Sequence, residues 1–153
     1  MAIQPGDTAP DFTLPVAGGG TLTLSEAWRD SPVVLVFFPL AFSGRCQSEL
    51  CEIRDNLALF EDASVRVIAI SVDSHFSLQA WAKEQGYTFD LASDMWPHGE
   101  VASAYEVFLA ERGIAARASF LIDTQGVVRW STQTDSPADV RPLTAYREAL
   151  ATL

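Results

Sequence analysis

Two continuous runs of apolar residues dominate the hydrophobic pattern of the chain. The first spans Val33 to Phe38, the second spans Val65 to Val72, and both are rich in β-branched residues. Such runs are typical of strands in the middle of a sheet that is covered on both faces. A helical pattern from about Gly44 to Phe60 lies between them. The segment therefore predicts a βαβ unit whose two strands run parallel.

Shorter patterned segments add elements on both sides of this unit. Phe12–Leu14 and Thr21–Leu24 predict two short strands joined by a glycine-rich turn. Ser119–Ile122 and Val127–Ser131 are separated by turn residues and predict an antiparallel hairpin. The other predicted elements are a helix at Ser77–Gln85 capped by Ser77 and ended by Gly86, a strand near Phe89–Leu91, a short helix around Glu100–Tyr105 and a last helix from about Ala138 to Leu153.

The order of these elements predicts the fold class. A hairpin, a βαβ unit, a helix, a second hairpin and a final helix are expected to form an α/β thioredoxin-like sandwich. Its central mixed sheet would be flanked by helices, with the N-terminal hairpin as an addition. The length of 153 residues fits a single domain over residues 1–153, and a hydrophobic content of 48% provides for a sizeable core.

The charge and the N-terminal segment indicate which partners are not expected. The chain has 20 acidic and 10 basic residues, and the basic residues are scattered, so there is no basic patch for nucleic acid. The longest apolar stretch, "PVVLVFFPLAF", is shorter than the roughly 18 residues of a membrane span. Without a basic and apolar signal pattern at the N-terminus, a cytoplasmic protein that binds neither nucleic acid nor membrane is expected.

The chain has two cysteines, Cys46 and Cys51, five positions apart in the predicted helix. In a reducing compartment such cysteines are more often redox-active than structural, although free cysteine is also common as a small buried hydrophobe. An intact helix would hold their Cα atoms roughly 8 to 9 Å apart. A disulfide tolerates no more than about 7 Å. A bond between them would therefore require the first turns of the helix to unwind.

The two cysteines lie on different faces of that helix. Cys46 belongs to an apolar stripe that also contains Leu50, Ile53, Leu57 and Phe60. It is expected at the inner edge of the first turn, where free backbone amides and the helix dipole favour an anion such as a thiolate. Cys51 is expected on the polar side, either as a second redox-active thiol or as a tolerated small residue.

Several motifs resemble those of the peroxiredoxins. In "PLAFSGRC", Pro39, Ser43 and Cys46 have the spacing P-x-x-x-[ST]-x-x-C directly after an apolar strand, as in the active-site motif of that family. The resemblance extends to "GDTAPDF", "ISVD" and "RASFLIDTQGVV". The stretches "FFPLAFSG" and "WPHG" most resemble the E-type alkyl hydroperoxide reductases. Cys51 instead matches the resolving-cysteine position of the Q-type, bacterioferritin-comigratory group.

The resemblance implies a role for each residue of the motif. Cys46 would attack the peroxide and become a sulfenic acid. The Ser43 hydroxyl would hydrogen-bond the thiolate and the peroxide, although a plain helix cap is an alternative. Pro39 would shield the thiolate from solvent, or simply end the strand. Cys51 would resolve the sulfenic acid as an intramolecular disulfide.

Two charged residues complete the implied site. Arg117 would reach across the sheet to Cys46 and polarise the peroxide, whereas composition alone favours a surface arginine. Glu49 would orient Arg117 through a charge-assisted hydrogen bond, unless it is a solvated helix charge. His75 and His98 match no common zinc-ligand spacing with the cysteines.

The implied function is a thiol peroxidase that reduces hydrogen peroxide and organic hydroperoxides without a metal, haem or flavin. A thioredoxin-like or mycoredoxin-like protein would reduce it, and it would form a homodimer through the loops around Phe42 and Trp96. Two alternatives keep the same cysteine: a one-cysteine peroxidase resolved by an external thiol, and a peroxide sensor or holdase. A disulfide oxidoreductase would need C-x-x-C, whereas this chain has C-x4-C.

Overall fold

The fold begins with the predicted N-terminal hairpin. The computed structural model describes residues 3–153. Strands β1 (Thr13–Pro15) and β2 (Thr21–Thr23) pair antiparallel. Helix α1 (Leu24–Asp30) follows directly and buries Leu24 in the core. The sequence pattern did not predict α1, because two helical turns contain too few apolar positions to establish a helical period.

The two long apolar runs form the predicted parallel pair. They are β3 (Val33–Phe37) and β4 (Arg66–Ser71). The connection between them holds two helices, α2 (Gly44–Asp55) and α3 (Leu57–Asp62), so the prediction of one continuous helix was wrong. Asn56 separates them, and its side-chain amide donates to the carbonyl four residues earlier at 2.9 Å. Asparagine competes with the helical backbone in this way and favours helix ends.

The next helix, α4 (His75–Gln85), starts two residues before its predicted start. Its cap is Ser74 rather than Ser77, because the Ser74 hydroxyl accepts the Ser77 amide at 3.1 Å. Gly86 ends the helix as predicted, in the left-handed conformation with φ 72°. The elements that follow are β5 (Asp90–Ser93), α5 (Glu100–Ala104) and the short antiparallel pair β6 (Phe108–Leu109) and β7 (Ile114–Ala115).

The C-terminal part contains the second predicted hairpin and a shorter helix than expected. Strands β8 (Ala118–Ile122) and β9 (Val128–Gln133) pair antiparallel, as predicted. The last helix, α6 (Leu143–Leu150), starts five residues after its predicted start. Pro142 explains the difference, because proline lacks the amide for a helix interior and disfavours helical backbone in the residue before it. Residues 134–142 form a loop instead.

The main sheet has the strand order β5-β4-β3-β8-β9 and is mixed, since β8 runs antiparallel to β3. Alternate residues of β3 face opposite sides of it. Val33, Leu35 and Phe37 belong to one core cluster with α1 and α5, while Val34 and Val36 belong to another with α2 and α6. Helices thus cover both faces of the sheet, and the predicted α/β sandwich with a central mixed sheet is confirmed. No helix within residues 3–153 is long and apolar enough to cross a membrane.

Candidate active site

Cys46 lies in the first turn of α2, and its side chain faces the core as predicted. It packs in one cluster with Leu50 and Ile53 and is 0% exposed. Its sulfur makes no hydrogen bond to any residue between positions 3 and 153. The first turn of α2 has no acidic residue, so its free amides and the positive end of the helix dipole are available to an anion.

The loop before α2 is held by the end of β4. Asp73 accepts the Ala41 amide at 2.8 Å and the Ser71 hydroxyl at 2.6 Å through the same carboxylate oxygen. Pro39 is buried at the start of this loop. Phe42 has φ 66°, a left-handed backbone conformation that is rare for a bulky residue. Contacts with the surrounding structure hold the loop in this conformation. Asp73 thus fixes the loop that leads to Cys46, a contact that the sequence did not reveal.

Ser43 lies at the N-cap position of α2, but its hydroxyl does not cap the helix. The hydroxyl donates to the Leu40 carbonyl at 2.9 Å, while the Ser43 carbonyl accepts the Gln47 amide at 2.9 Å. The interpretation of the hydroxyl as a helix cap was therefore wrong. To contact a thiolate or a peroxide, the hydroxyl must exchange its bond to Leu40, which costs little because one hydrogen bond replaces another.

Three charged side chains form a buried cluster, and one of them, Glu49, lies three residues after Cys46 on α2. Arg117 Nη1 donates to Glu49 Oε1 at 2.6 Å. Arg141 donates to the same carboxylate from Nη2 at 2.9 Å, from Nε at 2.9 Å and from its backbone amide at 2.6 Å. The three residues are 3%, 6% and 4% exposed in the order Arg117, Glu49 and Arg141. Arg117 is therefore not a surface arginine, and Glu49 is not a solvated helix charge.

Arg141 makes the most hydrogen bonds in this cluster, and no sequence motif had indicated it. Its Nη1 also donates to the carbonyls of Phe37 and Ala118 at 2.7 and 2.9 Å, and to the Ser119 hydroxyl at 3.0 Å. The predicted final helix ran through this residue. The following proline was the available signal, because it argues against a helix at position 141. Nothing in the local pattern indicates that the side chain is buried.

The cluster has a net positive charge. Burial alone would raise the pKa of Glu49, but hydrogen bonds and charge from Arg141, together with the charge of Arg117, lower it below its usual value. Two guanidinium groups and one carboxylate together carry a net charge of one positive unit. Burial alone would lower the pKa of Arg141, but the charge of Tyr146, the hydrogen bond and charge of Glu49 and, least, the charge of Cys46 raise it above its usual value. The excess charge has the sign that attracts an anion.

A shallow open cleft leads to Arg117 and the start of α2. The residues that line it are Ser43, Gly44, Arg45, Arg112, Arg117, Ser136, Pro137 and Ala138. Arg117 is fixed at its edge by a second bond, from Nε to the Pro137 carbonyl at 2.5 Å. A small ligand with acceptor oxygens would meet a guanidinium and free helix amides in this cleft.

Cys51 is half-buried and faces the connection between α4 and β5. Its sulfur lies 3.5 Å from Gln85 Oε1 and 3.3 Å from Tyr87 Oη. Cys51 was predicted to lie on the polar side of the helix. This prediction was only partly correct, because that side of α2 packs against Gln85 and Tyr87. Both cysteines are free, and the intact α2 keeps them apart.

The two histidines lie outside this arrangement. His98 Nε2 is 2.7 Å from the Gly113 carbonyl oxygen, and the His75 ring stacks on Phe76 with centroids 4.1 Å apart. Within residues 3–153, no group of three or more histidine, cysteine, aspartate and glutamate side chains could hold a metal ion.

Comparison with known proteins shows which family has this arrangement. A family model described as the AhpC/TSA family matches residues 5–131, which include the motif before Cys46 and extend past Arg117. The chain belongs to this family, and it is a peroxiredoxin. This peroxiredoxin is 44% identical over 148 residues to alkyl hydroperoxide reductase E of Mycobacterium tuberculosis, an alignment that covers 97% of the chain and 96% of the relative. The predicted likeness to the E-type group is thereby confirmed.

Solved structures agree with this assignment. The peroxiredoxin superposes on peroxidoxin BcpB from Mycobacterium tuberculosis with a TM-score of 0.84 and 30% identity, over 98% of this chain and 96% of that one. It superposes on a reduced 2-Cys peroxiredoxin of Plasmodium vivax with a TM-score of 0.88 and 25% identity, over 97% and 81% of the two chains. Peroxiredoxins are thiol-dependent peroxidases that act on peroxides and are typically oligomeric. The protein is accordingly a peroxidase, an oxidoreductase.

Proposed function

We propose that this peroxiredoxin reduces hydrogen peroxide and organic hydroperoxides at Cys46, and that Cys51 resolves the oxidised enzyme. The observation that carries the proposal is the placement of Cys46. Cys46 lies in the first turn of α2, and Glu49, three residues later on the same helix, holds Arg117 and Arg141 in a buried cluster with a net positive charge. A helix N-terminus and nearby arginines are typical surroundings of a nucleophilic cysteine.

In the first step, the Cys46 thiolate attacks one peroxide oxygen and the O–O bond breaks. The sulfur becomes a sulfenic acid, and the leaving oxygen takes a proton and departs as water or an alcohol. Negative charge develops on the oxygens during this step, and Arg117 at the edge of the cleft is placed to stabilise it. Ser43 supplies a hydroxyl to the peroxide, and the buried Pro39 excludes water from the sulfur.

In the second step, the Cys51 sulfur attacks the sulfenic sulfur of Cys46. The S–O bond breaks, the oxygen leaves as water with the thiol proton of Cys51, and a disulfide forms. Because α2 separates the two sulfurs, its first turns must unwind before this attack. A thioredoxin-like or mycoredoxin-like dithiol protein then reduces the disulfide, and the cycle takes place in the cytoplasm.

Mass spectrometry of peroxide-treated protein tests the two-cysteine cycle. We expect an intramolecular Cys46–Cys51 disulfide after one equivalent of peroxide, without any added thiol. The matched control is Cys51→Ser, which should stop at a sulfenic acid on Cys46. If the unsubstituted protein accumulates sulfenic or sulfinic acid on Cys46 while Cys51 stays free, resolution depends on an external thiol instead.

We also propose that the protein is a homodimer joined through the loops around Phe42 and Trp96. These loops carry large apolar side chains that are unusually exposed: Trp96 is 81% exposed and Phe42 is 51% exposed. Leu40 and Met95 add further exposed apolar surface in the same two loops. Burial of these four side chains against a second copy of the chain would remove apolar surface from water.

Trp96→Arg is expected to shift the protein from dimer to monomer in analytical ultracentrifugation, because a charge replaces an apolar interface side chain. Leu153→Arg is the control, since it places the same charge at an exposed apolar residue in neither loop. A monomeric unsubstituted protein, or a Trp96→Arg protein that is still dimeric, would refute this interface.

A further inference from the structure

Tyr87 is a buried side chain that the peroxidase cycle described above does not use. It follows the glycine that ends α4, and its ring packs edge-on against Trp81 with centroids 5.1 Å apart. Its hydroxyl oxygen lies 3.3 Å from the Cys51 sulfur and 3.4 Å from the Gln47 carbonyl oxygen. Burial is the main cause that raises the pKa of Tyr87, so the phenol remains a hydrogen-bond donor at physiological pH.

The two groups that Tyr87 contacts are the two ends of one helical turn. In an α-helix, the carbonyl of residue 47 accepts the amide of residue 51. This turn lies between Cys46 and Cys51, and it must open for their sulfurs to meet. A side chain that binds both the Gln47 carbonyl and the Cys51 sulfur therefore opposes the opening.

Other contacts hold the same face of α2 without joining both ends of this turn. Trp81 Nε1 donates to Gln47 Oε1 at 3.3 Å. Cys51 Sγ lies 3.5 Å from Gln85 Oε1, and Arg54 Nη1 donates to the Gln85 carbonyl at 2.6 Å. Among these side chains, Tyr87 is the one whose hydroxyl contacts both the Gln47 carbonyl and the Cys51 sulfur.

We propose that Tyr87 is a latch that keeps Cys51 in the helix and so sets the rate at which the disulfide forms. It acts through Cys51 and is a positioning residue, not a catalytic one. The proposal rests on the proposed resolution of Cys46 by Cys51. It assigns to Tyr87 the choice between two fates of the oxidised enzyme.

The two fates compete for the sulfenic acid on Cys46. If the turn opens, Cys51 attacks, and a disulfide and water form. If it stays closed, a second peroxide oxidises the sulfenic sulfur to a sulfinic acid, and the O–O bond breaks to release water or an alcohol. A tighter latch favours the sulfinic acid, whereas a looser latch favours the disulfide. Tyr87 thereby sets the peroxide concentration at which the enzyme inactivates itself.

Tyr87→Phe tests this proposal, because it removes only the hydroxyl. The loss of one hydrogen-bonding group is expected to speed disulfide formation roughly two- to tenfold. The rate of the first oxidation should not change. The fraction of Cys46 found as sulfinic acid by mass spectrometry, after a fixed excess of peroxide, should fall. Amide exchange at residues 47–51 should become faster.

Tyr105→Phe is the matched control. Tyr105 is also a buried tyrosine whose hydroxyl donates to a carbonyl, that of Pro10 at 2.7 Å, but it packs on the other face of the sheet. It should leave both the disulfide rate and the sulfinic fraction unchanged. This comparison separates a latch from general destabilisation.

Two results would overturn the proposal, and they differ in meaning. Equal disulfide rates and sulfinic fractions in the unsubstituted and Tyr87→Phe proteins would refute the latch and leave the two-cysteine cycle intact. The absence of any Cys46–Cys51 disulfide in both proteins would refute the proposed resolution step, and the latch with it.

Discussion

Cys46→Ser is expected to reduce peroxide consumption to the rate of a solution without enzyme. A serine hydroxyl stays protonated in the first turn of α2 and cannot replace the thiolate as a nucleophile. The substitution hardly changes side-chain volume, so the protein should still fold. Peroxide consumption with an excess of a dithiol reductant measures the loss, and circular dichroism confirms the fold.

Cys51→Ser is the matched variant, because it makes the same chemical change five residues later on the same helix. It should leave the first oxidation as fast as in the unsubstituted protein and slow only the return to the reduced state. An external thiol should restore part of the turnover. If Cys51→Ser abolished the first oxidation, or if Cys46→Ser retained it, the assignment of the two cysteines would be wrong.

Arg141→Met is expected to lower the free energy of unfolding by about 3–5 kcal/mol, the usual effect of removing one partner from a buried ion pair. The substitution leaves the Phe37 and Ala118 carbonyls without this donor, and it removes the Arg141 side-chain bonds to Glu49. Urea unfolding measures the change. Peroxide reduction should slow as well, because Arg117 and Glu49 lose the side chain that helps to hold them.

An exposed ion pair provides the control for this stability effect. Arg66 and Asp90 lie 2.8 Å apart, with side chains 40% and 33% exposed. Arg66→Met should change the free energy of unfolding by less than about 1 kcal/mol, since solvent screens such pairs. If Arg141→Met cost no more than Arg66→Met, the buried cluster would not stabilise the fold.

The pH dependence of the free energy of unfolding tests whether ionised Glu49 stabilises the fold. Because the neighbouring arginines lower the pKa of Glu49, its stabilising effect is fully present above the usual pKa of a glutamate. It is lost as the pH falls through the lower pKa of the folded state. Glu49→Gln should therefore be less stable than the unsubstituted protein at neutral pH, and the difference should shrink in acid.

The hydrophobic pattern of the sequence predicted those elements that form because of residues close together in the chain. The runs that became β3 and β4 could be recognised because strands buried on both faces need continuous apolar residues. The placement of Cys46 followed from the helical period of its neighbours and from its distance to Gly44. The break at Asn56 and the early start of α4 depended on single side-chain hydrogen bonds, which periodicity does not register.

The parts that could not be predicted depend on contacts between distant positions. Arg141 binds Glu49 across 92 positions of sequence, and nothing near either residue indicates that the two meet. The tyrosine beside Cys51 is likewise 36 positions away from it. Arg117 and Glu49 were placed in the site only through the family resemblance, since composition favoured a surface arginine.

The most direct test of the role of Cys46 is stopped-flow tryptophan fluorescence after reduced protein is mixed with peroxide. Trp81 is fully buried and donates to Gln47 in α2, so its emission should respond to oxidation and to unwinding of the helix. We expect a first phase whose rate rises with peroxide concentration and a second phase whose rate does not. Cys51→Ser should lose only the second phase, and Cys46→Ser should lose both. A peroxide-dependent phase that persists in Cys46→Ser would contradict the assignment of Cys46 as the atom that peroxide oxidises.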